Sequence, residues 1–157
     1  MSARAPVQAL VAIGANLGNA KASVLQAIEA LGQLPKTRCL QVSGLYRTAP
    51  VQAQGPDFMN AVVKLATELT APALLEALQA LEQAAGRERP YPNAPRTLDL
   101  DVVMYGDATI HSPRLIVPHP RWRERAFVLC PLRDVAPERV PEAWLRSVSD
   151  QFIERLE

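Results

Sequence analysis

The sequence predicts an α+β fold in which helices pack on an antiparallel sheet, and three observations lead to this prediction. The chain has 157 residues, near the usual size of one domain. Its residues are 48% hydrophobic and 21% charged, which is typical of a globular chain with an apolar core. Segments with the alternation of strands and segments with the spacing of helices follow one another along the chain. We therefore expect residues 1–157 to form a single domain.

The first half of the chain predicts a strand, a helix and two further strands. The apolar residues 8–13 indicate a buried strand, and the turn expected at residues 14–18 ends it. Asn19 then caps a helix that reaches about residue 31. Residues 37–47 and 58–67 have the pattern of strands, and a loop with two prolines and one glycine separates them.

The second half continues with a helix and a strand. Thr70 is expected to cap the second helix, which ends at Gly86, and a strand is expected over residues 98–105. The resulting order, βαββαβ, is that of the ferredoxin-like sandwich, whose antiparallel sheet carries helices on one face. A short strand at residues 108–110 and C-terminal helices at 126–135 and 142–156 are expected to wrap this unit.

The charge balance excludes a partner recognised through the overall charge of the protein. Lys and Arg number 17 and Asp and Glu number 16, so the formal net charge is +1, and no general attraction to nucleic acid or to an acidic membrane results. The apolar run at residues 9–13 is too short for a signal peptide or a membrane span. Cys39 and Cys130 fit no metal-ligand spacing. We expect a cytoplasmic monomer with reduced cysteines.

The strand at residues 98–105 carries a pair of carboxylates. Leu98, Leu100, Val102 and Met104 alternate toward the core, so Asp99 and Asp101 share the opposite face. Their Cα atoms are expected roughly 6.6 Å apart, close enough for oxygen ligands that bracket Mg²⁺ ions. An ordinary solvated strand face shows the same pattern. An inverting glycoside hydrolase also spaces two carboxylates in this way, although this chain is poor in the aromatic residues that sugar sites use.

Arginines surround this pair in the sequence and favour a phosphate ligand. Residues 86–133 contain eight Arg and five acidic residues, whereas the rest of the chain has a small acidic excess. Carboxylates that hold a metal and arginines that hold the remaining phosphate oxygens are what a metal-bound polyphosphate requires. The combination is more specific than either feature alone.

Residues 95–101, Pro-Arg-Thr-Leu-Asp-Leu-Asp, resemble the signature of the 6-hydroxymethyl-7,8-dihydropterin pyrophosphokinases of folate biosynthesis. The order and spacing of further segments match that family from residue 9 to about 138. The resemblance implies a ferredoxin-like fold and transfer of pyrophosphate from ATP to the pterin hydroxymethyl group, with release of AMP. The supporting segments are residues 13–18, 43–48, 58–61, 117–119 and 125–128.

The resemblance also implies roles for individual residues. Asp99 and Asp101 would bind two Mg²⁺ ions that bridge the ATP phosphates, and Arg87 and Arg96 would stabilise the migrating group. The other positions that match ATP contacts are Gln79, Glu82, Arg89, Arg114, Ile116, His119 and Arg125. The positions that match the pterin pocket are the rings Phe58 and Phe127, the amide Asn60, and the loop residues Thr48, Ala49 and Val51. Asn93 and Ala94 stand where many members of the family carry Trp-Gly.

Two other functions fit the predicted fold. A non-catalytic ferredoxin-like module could bind a small ligand or RNA, but the strands lack the aromatic residues that stack on RNA bases. Another Mg²⁺-dependent phosphotransferase could use the same scaffold, because a fold does not determine its chemistry. No residue is an obvious strong base, and the acceptor of the substrate proton stays open between Asp99, Asp101 and a metal-activated hydroxyl.

Overall fold

A computed structural model describes residues 5–16, 19–49, 57–85 and 98–156. The predicted unit is present, and the strand order β5-β1-β4-β3, with β2 also paired to β4, is antiparallel throughout. When β2 and β3 are taken as one interrupted strand, this is the order of the ferredoxin-like sandwich, so the predicted fold is confirmed. The elements are β1 (Val7–Ala15), α1 (Ala20–Gly32), β2 (Thr37–Val42), β3 (Tyr46–Thr48), β4 (Phe58–Thr67), α2 (Ala71–Ala84) and β5 (Asp99–Tyr105).

The helix starts lie where the capping residues predict them. The side chain of Asn19 accepts a hydrogen bond from the Ala22 amide at 3.1 Å, and that of Thr70 accepts one from the Ala73 amide at 3.2 Å. Each bond satisfies an amide that has no partner within its helix. Among the described residues, no helix combines the length and the apolar composition needed to cross a membrane.

The C-terminal part adds a hairpin, helices and an edge strand. The helix expected over residues 126–135 is present, but the prediction for residues 142–156 was wrong because that helix ends at Ser147. Ser149 and Asp150 favour a turn, and the following residues pair with the open edge of β3 as β8. The elements are β6 (Ile110–His111), β7 (Ile116–Val117), α3 (Ala126–Val135), α4 (Glu142–Ser147) and β8 (Ile153–Arg155), with short 3₁₀ helices before and after α3.

Helices cover both faces of the sheet, but to different extents. On one face, α1 and α2 pack Val24, Leu31, Leu74 and Leu78 on a continuous apolar surface. On the other face, α3 covers Val62 and its neighbours. Because α3 has 10 residues it is about 15 Å long, whereas β4, also of 10 residues, extends about 33 Å. Helix α3 therefore leaves one end of that face of the sheet uncovered.

A bulge changes the direction of the side chains halfway along β5. Leu10 pairs with Met104, but the next residue, Val11, pairs with Val102, so Val103 is an extra residue. Leu100 and Val102 pack on the α1 and α2 face as predicted, whereas Met104 packs on the α3 face. The prediction for Met104 was therefore wrong, because strict alternation cannot anticipate a bulge. Asp99 and Asp101 precede the bulge and keep the predicted phase.

Candidate active site

A cleft of about 420 Å³ opens at the end of the sheet that α3 leaves uncovered. Strand β1 ends here, and β4 and β5 begin here. Gly14 pairs with Asp99 on one side and with Asn60 on the other, and Asn60 pairs with Tyr46. These four residues therefore form one row across the sheet, with the acidic residue at one end and the amide and phenol at the other.

The acidic end of the cleft is formed by Asp99 and Asp101. Both side chains are half-buried and line the cleft, and Asp101 pairs with Ala12, two rows below the pair of Asp99 and Gly14. Within the described ranges, no group of three or more His, Cys, Asp or Glu side chains could hold a metal ion. Two carboxylates fit an ion that takes its other ligands from phosphate oxygens and water, which is how Mg²⁺ is usually bound beside a nucleotide.

Helix α2 is attached to β5 between these two aspartates. Glu82 is only 3% exposed, and its Oε2 accepts a hydrogen bond from the Leu100 amide at 2.7 Å. Three residues earlier on the same helix, Gln79 accepts a hydrogen bond from Arg114 at 3.2 Å. Glu82, Gln79 and Arg114 all line the cleft. The polar face of α2 therefore forms one wall, and Glu82 also holds the start of β5 in place.

His119 and Arg125 form the cationic side of the cleft. Burial lowers the pKa of His119 below 6.5, and the positive charge of Arg125 lowers it further, while Asp99 acts in the opposite sense. The ring is therefore neutral at pH 7. Its Nδ1 accepts a hydrogen bond from the Arg121 amide at 3.4 Å, so the ring proton belongs on Nε2. His119 can thus donate one hydrogen bond to a phosphate oxygen.

Arg125 lies within reach of both carboxylates and of an aromatic ring. Burial and the nearby Arg121 lower the pKa of Arg125, whereas Asp101 and Asp99 raise it. The guanidinium carbon lies 5.3 Å from the centre of the Phe127 ring. Arg125 therefore stands between the acidic end of the cleft and its aromatic end.

The other end of the cleft combines an oriented amide with two aromatic rings. Thr48 donates a hydrogen bond of 2.6 Å to Oδ1 of Asn60. Nδ2 of Asn60 lies above Gly14, where a β-carbon would come within 3.1 Å of it. Phe58 and Phe127 also line the cleft. A flat heterocycle with donors and acceptors along its edge suits this combination.

Most of the residues that the sequence suggested for the two substrates come together here. Ile116 does not line the cleft; it lies in β7 and is 42% exposed. Four other candidates, Val51, Arg87, Arg89 and Arg96, lie outside the described residues. The candidates that line the cleft are Thr48, Ala49, Phe58, Asn60, Gln79, Glu82, Asp99, Asp101, Arg114, His119, Arg125 and Phe127.

The sequence reasoning missed the floor of the cleft. Residues 14–18 were expected to form a turn, but β1 continues to Ala15, and Ala12 and Gly14 line the cleft from within the strand. Larger side chains at these positions would fill the space above β1. The alternation of small residues at positions 12 and 14 was the signal that could have revealed this floor.

Solved structures support the fold. A crystal structure described as HPPK-DHPS in complex with substrates aligns with a TM-score of 0.70 at 14% sequence identity, covering 93% of this chain and 43% of that one. Wild-type HPPK-DHPS of Plasmodium falciparum with pterin and p-hydroxybenzoate aligns with the same TM-score, covering 88% of this chain and 41% of that one. The chain thus spans less than half of these longer proteins, and at such low identity they show the fold alone.

Sequence relatives show the family. A Pseudomonas aeruginosa protein named 2-amino-4-hydroxy-6-hydroxymethyldihydropteridine pyrophosphokinase is 45% identical over 134 residues, covering 84% of this chain and 83% of the relative. A protein of the same name from Methylorubrum extorquens is 40% identical over 157 residues, covering 96% and 99% of the two chains. The family model described as 7,8-dihydro-6-hydroxymethylpterin-pyrophosphokinase (HPPK) matches residues 10–137. This chain therefore belongs to the 7,8-dihydro-6-hydroxymethylpterin-pyrophosphokinase family.

Proposed function

We propose that the chain, as a single catalytic domain, transfers the pyrophosphoryl group of ATP to the hydroxymethyl group of 6-hydroxymethyl-7,8-dihydropterin and releases AMP, a step of folate biosynthesis. The transfer is the activity of the family to which the chain belongs. The observation that supports it in this chain is one cleft with carboxylates and cations at one end and an amide with two aromatic rings at the other. The two substrates would meet between these ends, above Gly14.

The acidic end would hold Mg²⁺ together with the ATP phosphates. Asp99 and Asp101 would supply carboxylate oxygens to two ions, and the phosphates and water would complete their coordination. Bound in this way, Mg²⁺ neutralises the charge of the triphosphate and orients it. Strand β1 and the Glu82 side chain hold β5 in place, so the two carboxylates are positioned independently of the nucleotide.

Cationic and polar groups would hold the phosphate oxygens that the metal leaves uncovered. His119 donates from Nε2, and Arg125 supplies a charged fork beside it. Arg87 and Arg96 are expected to stabilise the migrating group, and Arg89 belongs to the same loop. Gln79, Glu82, Arg114 and Ile116 would contact the nucleotide from α2 and from the segment after β6. For Gln79, Glu82, Arg114, His119 and Arg125, the assignments combine the family resemblance with a position around the cleft. Those of Arg87, Arg89, Arg96 and Ile116 rest on the resemblance alone.

The aromatic end would bind the pterin. Phe58 and Phe127 would stack on the two faces of its ring. Because the Oδ1 atom of Asn60 accepts from Thr48, its Nδ2 group can donate to an acceptor on the pterin edge. Ala49 and Val51 would offer backbone groups to the same edge.

The reaction would be an in-line displacement. The hydroxymethyl oxygen forms a bond to the β-phosphorus of ATP, the bond from that phosphorus to the oxygen of the α-phosphate breaks, and AMP leaves. The hydroxyl proton needs an acceptor. The carboxylates that line the cleft among the described residues are Glu82, Asp99 and Asp101. Glu82 is only 3% exposed and is held by the Leu100 amide, whereas Asp99 and Asp101 are half-buried, so we assign the proton to Asp99 or Asp101.

We further propose that the protein works as a cytoplasmic monomer, without nucleic acid or membrane. The near-neutral net charge provides no general attraction for an anionic partner.

The decisive experiment identifies the nucleotide product. The purified protein is incubated with Mg-ATP and 6-hydroxymethyl-7,8-dihydropterin, and the nucleotides are separated by ion-exchange chromatography. AMP with a stoichiometric pterin diphosphate is the expected result. ADP would instead indicate a monophosphate transfer, and a folded protein that consumes no ATP would favour a binding module. Incubation with EDTA should abolish turnover, and restored Mg²⁺ should recover it.

A further inference from the structure

Asp134, in the last turn of α3, connects three segments that are separate in the sequence: its own helix, the start of β3 and β8. Its Oδ2 accepts hydrogen bonds from the Tyr46 hydroxyl at 2.8 Å and from the Gly44 amide at 2.9 Å. Its Oδ1 lies 3.2 Å from Nη1 of Arg155 in β8. We call Gly44, Tyr46, Asp134 and Arg155 the Asp134 cluster. The Asp134 side chain is 16% exposed, so its bonds to Tyr46 and Gly44 are partly shielded from water, whereas the Arg155 side chain is 52% exposed.

The phenol of Tyr46 is the centre of this cluster. It donates to Asp134, and its oxygen accepts from Nη1 of Arg155 at 3.2 Å, while the guanidinium lies 5.6 Å from the ring centre. Burial raises the pKa of Tyr46 to about 12, and the hydrogen bond to Asp134 contributes to the increase. The hydroxyl therefore stays protonated and keeps donating at neutral pH.

Gly44 provides the space that the cluster needs. A β-carbon at this position would come within 2.8 Å of three atoms of the Arg155 guanidinium. An alanine here would move the end of the arginine side chain, and that side chain is flexible. Gly44→Ala is therefore a selective way to displace Arg155 without a large change in the core.

The cluster lies next to the pterin end of the cleft. Tyr46 pairs directly with Asn60, and two residues later Thr48 donates to the Asn60 amide. Strand β3 has only three residues, paired with β4 on one side and with β8 on the other. Such a short strand needs support beyond its backbone pairing, and the Asp134 cluster supplies it through side chains of α3 and β8.

We infer that the Asp134 cluster is a positioning device for the pterin subsite: it fixes β3, so that Thr48 holds the Asn60 amide with Nδ2 toward the pterin. The inference rests on the proposed function, because it assumes that Asn60 contacts the pterin. Asp134, Tyr46 and Arg155 act through Thr48 and Asn60 and do not touch substrate. The nucleotide end of the cleft lies across the sheet, on β5, on α2 and on the segment from His119 to Arg125, none of which pairs with β3.

The test separates the two substrates. Tyr46→Phe and Asp134→Asn should raise the KM for the pterin about tenfold, the effect of losing one hydrogen bond to a charged group, with the KM for ATP and kcat within twofold. Gly44→Ala and Arg155→Ala should act in the same direction, and Arg155→Lys should recover part of the loss. Arg139→Ala, which breaks the exposed pair with Asp107, is the matched control.

Each outcome distinguishes a positioning role of the Asp134 cluster from a role in stability alone. All assays are run well below the melting temperature of each variant, with near-ultraviolet circular dichroism to show that it is folded. An unchanged pterin KM in folded Tyr46→Phe, or a rise in both KM values together, would overturn the inference while the proposed function stands. A wild-type protein that forms no AMP would overturn the proposed function and this inference with it.

Discussion

The two faces of the sheet differ in how completely helices cover them, and the function follows from that difference. On one face, α1 and α2 bury a continuous apolar surface from Ala9 to Ala15 of β1. On the other, the apolar contacts with α3 include Leu10 and Ala12, and beyond them lies Gly14 on the floor of the cleft. Both faces are formed by the same strands. In each strand, the side chains on one face stabilise the core, and some of those on the other face line the cleft.

This arrangement predicts that substitutions on the two faces have separable effects. A change at Asp99 or Asp101 should alter turnover with little change in unfolding free energy, because these half-buried carboxylates belong to neither apolar cluster. A change beneath α1 or α2 should do the opposite. A substitution that impaired both properties equally would contradict the separation.

The largest effect is expected at the acidic end of the cleft. Asp101→Asn keeps the shape of the side chain but removes one charge from the proposed metal site, and kcat/KM should fall by at least about 10²-fold. The melting temperature should change little. Asp107→Asn is the matched control, since that side chain follows the same strand and is 95% exposed in a surface ion pair. Steady-state assays over a range of Mg²⁺ concentrations would detect the loss, and near-normal turnover would exclude Asp101 from the metal site.

The second largest effect is expected on the face of the sheet that α1 and α2 cover. Leu78 is fully buried between α2 and the sheet, so Leu78→Ala should lower the unfolding free energy by about 2–5 kcal/mol. Turnover of the protein that remains folded should be close to wild type. Chemical denaturation measures the first quantity and assays at low temperature the second. Leu25→Ala, on the exposed side of α1, should cost much less.

A smaller effect is expected from a single methyl group on the floor of the cleft. In Gly14→Ala the new β-carbon would lie 3.1 Å from Nδ2 of Asn60 and 3.7 Å from the Phe58 ring. The amide must shift, so the KM for the pterin should rise several-fold to about tenfold, as for one weakened hydrogen bond. Gly32→Ala, where the nearest atom would be 3.5 Å away, is the control and should leave both KM values unchanged. Equal effects of the two substitutions would contradict the role given to Gly14.

The smallest effect concerns pH. Burial lowers the pKa of His119 below 6.5, so the unfolded chain binds a proton more readily than the folded one. The stability that neutral His119 provides is complete above pH 6.5 and is lost as the pH falls through the folded pKa. His119→Gln should therefore reduce the drop in melting temperature between pH 7.5 and 5, measured with EDTA and without nucleotide. His111→Gln, at an exposed histidine, should leave the wild-type drop in place.

Local patterns predicted most of the fold and the acidic end of the cleft. Capping residues and periodicity were sufficient for α1, α2, α3 and β4, and the alternation before the bulge placed Asp99 and Asp101 on one face. The patterns could not anticipate Val103, because a bulge is a property of two paired strands. They also assigned residues 148–156 to a helix, because the open edge of β3 that attracts β8 is a tertiary feature.

The alternating side chains of strand β4 contribute to both faces of the sheet. Phe58, Asn60 and Val62 point to the cleft and α3, while Ala61 and Val63 point to α1 and α2. A shift of one residue in its register would bury Asn60 in the apolar core and expose Ala61 in the cleft. An insertion or deletion of one residue within β4 should therefore impair both folding and activity. Length differences between related proteins should be confined to the segments that join the strands.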